Sequence, residues 1–160
     1  MIEIERKYLV SSGAYREAAV SEKKMVQGFL NTDPERTVRV RVFDNEGFLT
    51  IKGKSSESGT TRFEWEAKIS RDDALVLMEM CEKPLIEKNR FEVPVGAHLF
   101  EVDEFLGENL GLVLAEVELQ SENEAITMPD WIGPEVTGES RYYNSQLIKN
   151  PYNTWNQKDD

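Results

Sequence analysis

The sequence has one cysteine, Cys81, and one histidine, His98, in 160 residues. A lone cysteine excludes an intrachain disulfide and fits a reducing compartment, the cytoplasm. A lone histidine is poor material for a histidine-based metal centre or a Ser-His-Asp triad. No apolar run approaches the roughly 20 residues of a membrane-spanning helix, and no signal peptide is expected, because the first strand starts at residue 2. Positive charge is scarce: 19 Lys and Arg against 30 Asp and Glu give a net charge of -11. That balance argues against a general nucleic-acid surface but leaves room for a small basic pocket. Internal repeats and interdomain linkers are also missing, so the length reads as one domain over 1–150 with a polar, fraying tail over 151–160.

What is present is alternation. In Met1 to Val10, Glu3, Glu5 and Lys7 recur at every second residue, the spacing that puts three side chains on one face of a strand. Ile2, Ile4, Tyr8 and Val10 take the other face, with Arg6 the exception. The pattern returns in further segments. Lys24 to Leu30 reads as a second strand, and Thr37 to Phe43 as a third, with Val38, Val40 and Val42 opposite Arg39 and Arg41. Asp44 to Gly47 makes a hairpin turn. Phe48 to Lys54 is the fourth strand and Thr61 to Ser70 the fifth, with Phe63, Trp65, Ala67 and Ile69 opposite Arg62, Glu64, Glu66 and Lys68. The Ser55 to Gly59 run reads as a flexible loop. Leu85 to Pro94 follows with Lys88, Arg90 and Glu92 on one face, then His98 to Phe105 with Glu101 and Asp103, and Leu112 to Ser121 with Glu116 and Glu118.

Helices are few. Ser11 to Glu22 reads as a short helix or helical loop. Ser70 and Asp73 form a capping box that opens a helix to about Lys83, stopped by Pro84. Two short helices are expected near Asp130-Trp131 and over Ser140 to Lys149. Phe63 and Trp65 read as core under a helix, Trp131 as a packing anchor, Cys81 as helix core and His98 as a loop residue. Arg6, Lys68 and Glu87 read as solvated.

Eight short strands joined mainly by tight turns suggest an antiparallel sheet or a closed barrel. The charged faces then either coat a barrel packed with apolar side chains or line the lumen of an inverted one. The two signs are partly segregated by strand, which suits a lumen that binds cations and a polyanion together. Carboxylates are natural ligands for Mg²⁺ or Mn²⁺, and arginine and lysine suit phosphate.

The ordered set resembles the CYTH superfamily, the triphosphate tunnel metalloenzymes. Glu3-x-Glu5-x-Lys7 is similar to that family's opening ExExK motif. It is followed in the family's order by Arg39-Val-Arg41, Leu-Thr-Ile-Lys52, Arg62-x-Glu64-x-Glu66, Lys88-x-Arg90, Glu101-x-Asp103-x-Phe105 and Ala-Glu116-Val-Glu118. The stretch from Glu135 to Asn144 resembles the family's ending. The resemblance implies a mainly β fold with flanking helices (α+β), an eight-stranded antiparallel barrel forming a charged tunnel. It also implies a metal-dependent hydrolase that cleaves inorganic tripolyphosphate to pyrophosphate and phosphate. One departure is Phe29, where relatives often have Tyr after Gln-Gly.

On this reading Glu3, Glu5 and Glu118 would hold one Mg²⁺ or Mn²⁺, and Asp103 and Glu116 a second that holds the attacking water. Glu64 and Glu66 would be direct or water-mediated ligands. Lys7, Arg39, Arg41, Lys52, Lys88 and Arg90 would grip the triphosphate, and Arg62 would either join them or pair with a lumen carboxylate. Lys88, Lys7 and Glu5 are the catalytic candidates, with Lys88 as proton donor to the leaving group. The partner is a small polyanion rather than nucleic acid or membrane, and a homodimer is compatible with this reading. The rival readings are a class IV-type adenylyl cyclase, a thiamine or nucleoside triphosphatase, and a non-catalytic polyphosphate-binding module.

Overall fold

The computed structural model describes residues 1–155; the last part of the expected tail, 156–160, lies outside the described residues. Eight strands close a ring: β1 (Ile2–Val10), β2 (Ser21–Asn31), β3 (Arg36–Phe43), β4 (Glu46–Ser55), β5 (Thr61–Ile69), β6 (Ile86–Val95), β7 (His98–Phe105) and β8 (Val113–Glu118). The order around the ring is β5-β4-β3-β2-β6-β7-β8-β1, and β1 returns to β5 through Ile2↔Phe63, Glu3↔Arg62 and Ile4↔Thr61. Every pairing is antiparallel. Closure leaves no free edge along the ring, which satisfies the backbone groups that an open sheet would expose.

The apolar faces point outward and are covered from outside over most of the ring, which settles the inverted arrangement. Helix α1 (Tyr15–Ala18) and Trp131 cover β6 to β8, where Tyr8, Phe91, Val93, Phe100, Val102 and Val117 pack around Tyr15 and Trp131. Helix α2 (Arg71–Glu79) starts where the Ser70 hydroxyl accepts the Asp73 N–H at 3.0 Å. It lays Ala74 and Met78, with Cys81 just beyond, on Val40 and Val42. Two glycines permit that approach. A Cβ at Gly28 would meet Cys81 Cβ at 2.7 Å, and one at Gly47 would meet Ala74 Cβ at 2.6 Å.

Several expectations are corrected. The helix after β1 is only Tyr15–Ala18, because β2 already begins at Ser21, paired with Glu92 of β6. Asp130-Trp131 is not helical: it is a turn leading into a ninth strand, β9 (Ile132–Glu135), which adds to β1 beyond the stretch that β5 occupies. Phe63 and Trp65 are not helix-covered core but 43% and 38% exposed. Nine residues of α2 reach Leu49 and Ile69 and no farther along those strands. His98 opens β7 rather than sitting in a loop. The Ser55 to Gly59 loop is docked: Glu122 accepts hydrogen bonds from Ser58 at 2.9 Å and from Thr60, and a Cβ on Gly59 would stand 2.3 Å from Gly138 Cα. Arg6 is paired with Glu135 at 2.7 Å instead of being free in solvent.

The C-terminal segment also departs from a single helix. It is a 3-10 turn at Ser140–Tyr142 followed by helix α3 (Asn144–Leu147). Leu147, Ile148 and Val136 pack on Phe29, Ile86, Phe105 and Leu114. Those residues share strand parity with the charged ones: Ile86 with Lys88, Phe105 with Asp103, Leu114 with Glu116. The lumen is therefore divided lengthwise, charged over most of its length and apolar at the end that α3 plugs. Among the described residues no helix is long and apolar enough to cross a membrane.

Candidate active site

The charged part of the lumen is a cavity of about 570 Å³. Thirteen of the fourteen expected site residues line it: Glu3, Glu5, Lys7, Arg39, Arg41, Lys52, Arg62, Glu64, Glu66, Lys88, Arg90, Glu116 and Glu118. They converge because each belongs to one parity of an antiparallel strand, and register brings the strands face to face. Glu5 lies opposite Glu118 and Lys7 opposite Glu116, while Lys52 faces Glu64 and Glu101 faces Glu116.

Asp103 is the one that does not line the cavity. It is 1% exposed and lies under two cations. Its oxygens accept from Arg90 Nε at 2.8 Å, Arg90 Nη2 at 2.9 Å and Lys88 Nζ at 2.8 Å. Burial alone would raise its pKa, but Arg90 and Lys88 outweigh burial and hold it down at about 2. Burial also pushes the Lys88 ammonium down to about 8, against the pull of Asp103. Lys88 touches the Phe105 ring from 5.5 Å and donates to Asn144 Oδ1 at 3.0 Å.

The opposite wall is basic and under-neutralised. Arg39 Nη2 and Arg41 Nη2 share a single carboxylate oxygen, Glu66 Oε2, at 3.4 and 3.5 Å, and Thr50 also donates to it at 2.6 Å. The Nε–H groups of both arginines are buried and have no hydrogen-bond partner among the described residues. Burial, then Arg39 and Arg90, lower the Arg41 pKa to about 9. A guanidinium still stays charged at neutral pH. Two buried cations with unused donors are the chemistry of an anion site.

The acidic wall carries the reverse strain. Burial, then Glu116 and Glu3, raise Glu5 well above the ordinary carboxylate range. Burial would raise Glu116 too, but Lys7 and the hydrogen bond from Glu5 hold it low. The two carboxylates are thus pushed in opposite directions by burial, by each other and by Lys7. Burial raises Glu3, Glu101 and Glu118 as well. Among the described residues no three His, Cys, Asp or Glu side chains already stand in a metal-holding arrangement. The donor set fits a hard divalent cation nonetheless: it is all oxygen, and a cation would relieve the mutual repulsion of the crowded carboxylates.

The remaining cations are tied to the frame. Lys52 bridges Glu3 at 3.0 Å and Glu64 at 3.3 Å. Among the described residues Arg62 pairs with no carboxylate: it donates to Gly53 O at 2.6 Å, Thr37 Oγ1 at 3.0 Å and Pro34 O at 3.3 Å. Lys7 lies over the Tyr143 ring at 5.4 Å and reaches Tyr142 O at 3.4 Å. Strand parity missed Tyr143, Asn144 and Ser145, which enter the cavity from the plug, and His98 and Glu124, which line it together. Gln27, fully buried, donates to Asn144 Oδ1 at 2.6 Å.

A closed barrel with apolar faces outside and a carboxylate-rich, arginine-lined lumen defines a class, the tunnel barrels that handle small polyanions. The CYTH domain model matches residues 1–150, and the chain belongs to the CYTH family. It is 50% identical over 151 residues to the inorganic triphosphatase of Acetivibrio thermocellus, covering 94% of this chain and 95% of that one. It is 37% identical over 152 residues to the inorganic triphosphatase of Nitrosomonas europaea, covering 92% and 97%. The crystal structure of the inorganic triphosphatase NE1496 superposes with a TM-score of 0.65 at 33% identity, covering 91% and 97%.

Proposed function

We propose that this protein is a metal-dependent inorganic triphosphatase that hydrolyses tripolyphosphate to pyrophosphate and phosphate. The observation that carries the reading is the Arg39–Arg41 pair, two mostly buried guanidinium groups that share one carboxylate and whose buried Nε–H donors have no partner among the described residues. The 50% identity to a curated inorganic triphosphatase over nearly the whole chain supports it.

In the reaction one P–O–P bridge breaks and water supplies the new P–O bond. Tripolyphosphate and water give pyrophosphate and hydrogen phosphate, with one proton released. Such a transfer needs charge neutralisation, alignment and a positioned water more than covalent chemistry. Arg39, Arg41, Lys7, Lys52 and Arg90 bind and align the polyanion. Lys88 donates its proton toward the leaving oxygen, and a pKa of about 8 suits a donor working near neutrality. Asp103 orients Lys88 and Arg90. Arg62 fixes the β4–β5 hairpin beside the cavity. Glu3, Glu5 and Glu118 would hold one Mg²⁺ or Mn²⁺ and Glu116 a second, with Glu64 and Glu66 as nearer or outer ligands. When bound, such ions neutralise phosphate charge and lower the pKa of a bound water. A lone buried Cys81 suits a cytoplasmic site of action.

The test is a substrate panel. The charge of the lumen is matched to phosphate groups, which a nucleoside does not add, so a nucleoside adds bulk without adding to those contacts. The expected result is a kcat/KM for tripolyphosphate at least about tenfold above that for ATP, with Mg²⁺ and with Mn²⁺. ATP equal to tripolyphosphate, or substantial cyclic AMP, would defeat the proposal.

A further inference from the structure

The plugged end of the lumen holds an amide whose orientation is fixed on both sides. Asn144 Oδ1 accepts from Lys88 Nζ at 3.0 Å and from Gln27 Nε2 at 2.6 Å. An ammonium carries donors and no acceptor, so the Asn144 atom that faces Lys88 must be its oxygen. The NH₂ group of Asn144 is then the half left for the cavity that the residue lines. The frame behind it is rigid: Gln27 is fully buried, Lys88 is 1% exposed, and Leu147 of the same short helix is completely buried against the apolar end.

We propose that Asn144 is a substrate-binding residue, whose amide N–H donates to the terminal phosphate of the polyanion at the plugged end of the barrel. A neutral donor suits that place. It can bind a phosphate oxygen beside Lys88 without repelling the ammonium, as a further cation would, and without repelling the phosphate, as a carboxylate would. The plug thereby supplies a ligand-reading group as well as closing the lumen. The inference rests on the triphosphatase reading for the identity of the polyanion.

The experiment is equilibrium binding of tripolyphosphate by titration calorimetry, with divalent metal removed by chelation so that the ligand is not cleaved, on the wild type and on N144D and N144L. Asp keeps the acceptor for Lys88 and loses the donor; Leu keeps the bulk and loses both. Both variants are expected to weaken Kd by about ten- to a hundredfold, the loss of one hydrogen bond to a charged group. Thermal melting checks the fold, and N144A repeats the deletion should Leu not be accommodated. Wild-type affinity in either N144D or the deletion variant would overturn the proposal. Weakening by N144D alone would mean that an added charge repels the ligand without any contact having been lost. A wild type that binds tripolyphosphate but does not cleave it when Mg²⁺ or Mn²⁺ is added back would sink the triphosphatase reading and leave this inference standing. A wild type that does not bind it would sink both.

Discussion

Lys88 concentrates the physics of the site. Its amine is buried, held by Asp103 and Asn144, and its pKa is lowered from 10.5 to about 8, chiefly by burial. If the charged form binds and protonates the leaving phosphate, kcat/KM should fall as pH rises above about 8, with one proton lost. Initial rates of phosphate release from pH 6 to 10 measure this, and a flat profile to pH 10 would remove Lys88 as the proton donor. The same shift has the opposite sign for stability. Between about 8 and 10.5 the unfolded chain binds the extra proton, so the cost of burying the charge, fully present below 8, is relieved across that window as pH rises. Activity lost while Lys88 contributes a stability gain would separate a catalytic effect from unfolding.

At the scale of elements, α3 is the smallest piece with the widest reach. Four residues, Asn144–Leu147, carry Asn144 to the cavity on one side and Leu147 into the apolar end on the other. Truncating Leu147 to Ala should cost about 2–5 kcal/mol, the usual range for a buried leucine whose site cannot collapse. Urea unfolding would measure it. A loss under about 1 kcal/mol would mean that the plug is only loosely packed. The eight ring strands were legible in the sequence because strict alternation and tight turns leave few other readings, as in Arg39-Val-Arg41 and Glu101-Val-Asp103. The ninth was not. Ile132–Glu135 is four residues long and contains Gly133 and Pro134, which argue against a strand unless it lies at an edge. Exposed Phe63 and Trp65 were misread because an apolar face implies a cover, and periodicity does not say how far α2 extends. Asn144 and Tyr143 were visible as letters, but their place in the lumen comes from tertiary packing that strand parity does not encode. Asp103 had the right parity for the lumen, yet burial under Lys88 and Arg90 took it out of the cavity.

For the whole molecule, the unbalanced quantity is charge. The chain carries -11 overall, and in its acidic lumen wall burial and the neighbouring carboxylates Glu116 and Glu3 push Glu5 well above the ordinary carboxylate range. A divalent cation that binds there should stabilise the folded state by mass action, by about 2.7 kcal/mol at a hundred times its Kd. Exhaustive chelation should therefore abolish phosphate release and lower the melting temperature, and added Mg²⁺ or Mn²⁺ should restore both. Full activity after chelation would remove the metal from the mechanism. β1 sets a further condition on the whole chain. It is the first strand made, and it pairs with β5, β8 and β9, so Glu5 meets Glu118 and Lys7 meets Glu116 only across most of the sequence. On a ribosome the opening ExExK strand emerges long before the partner carboxylates that complete its wall, and contacts so distant in sequence form late. The acidic wall that joins Glu3 and Glu5 to Glu116 and Glu118 thus stays incomplete until β8 is out, and the lumen is sealed only when Asn144 and Leu147 follow. Synthesis itself imposes an order: ring first, stopper last, with no catalytic fragment along the way.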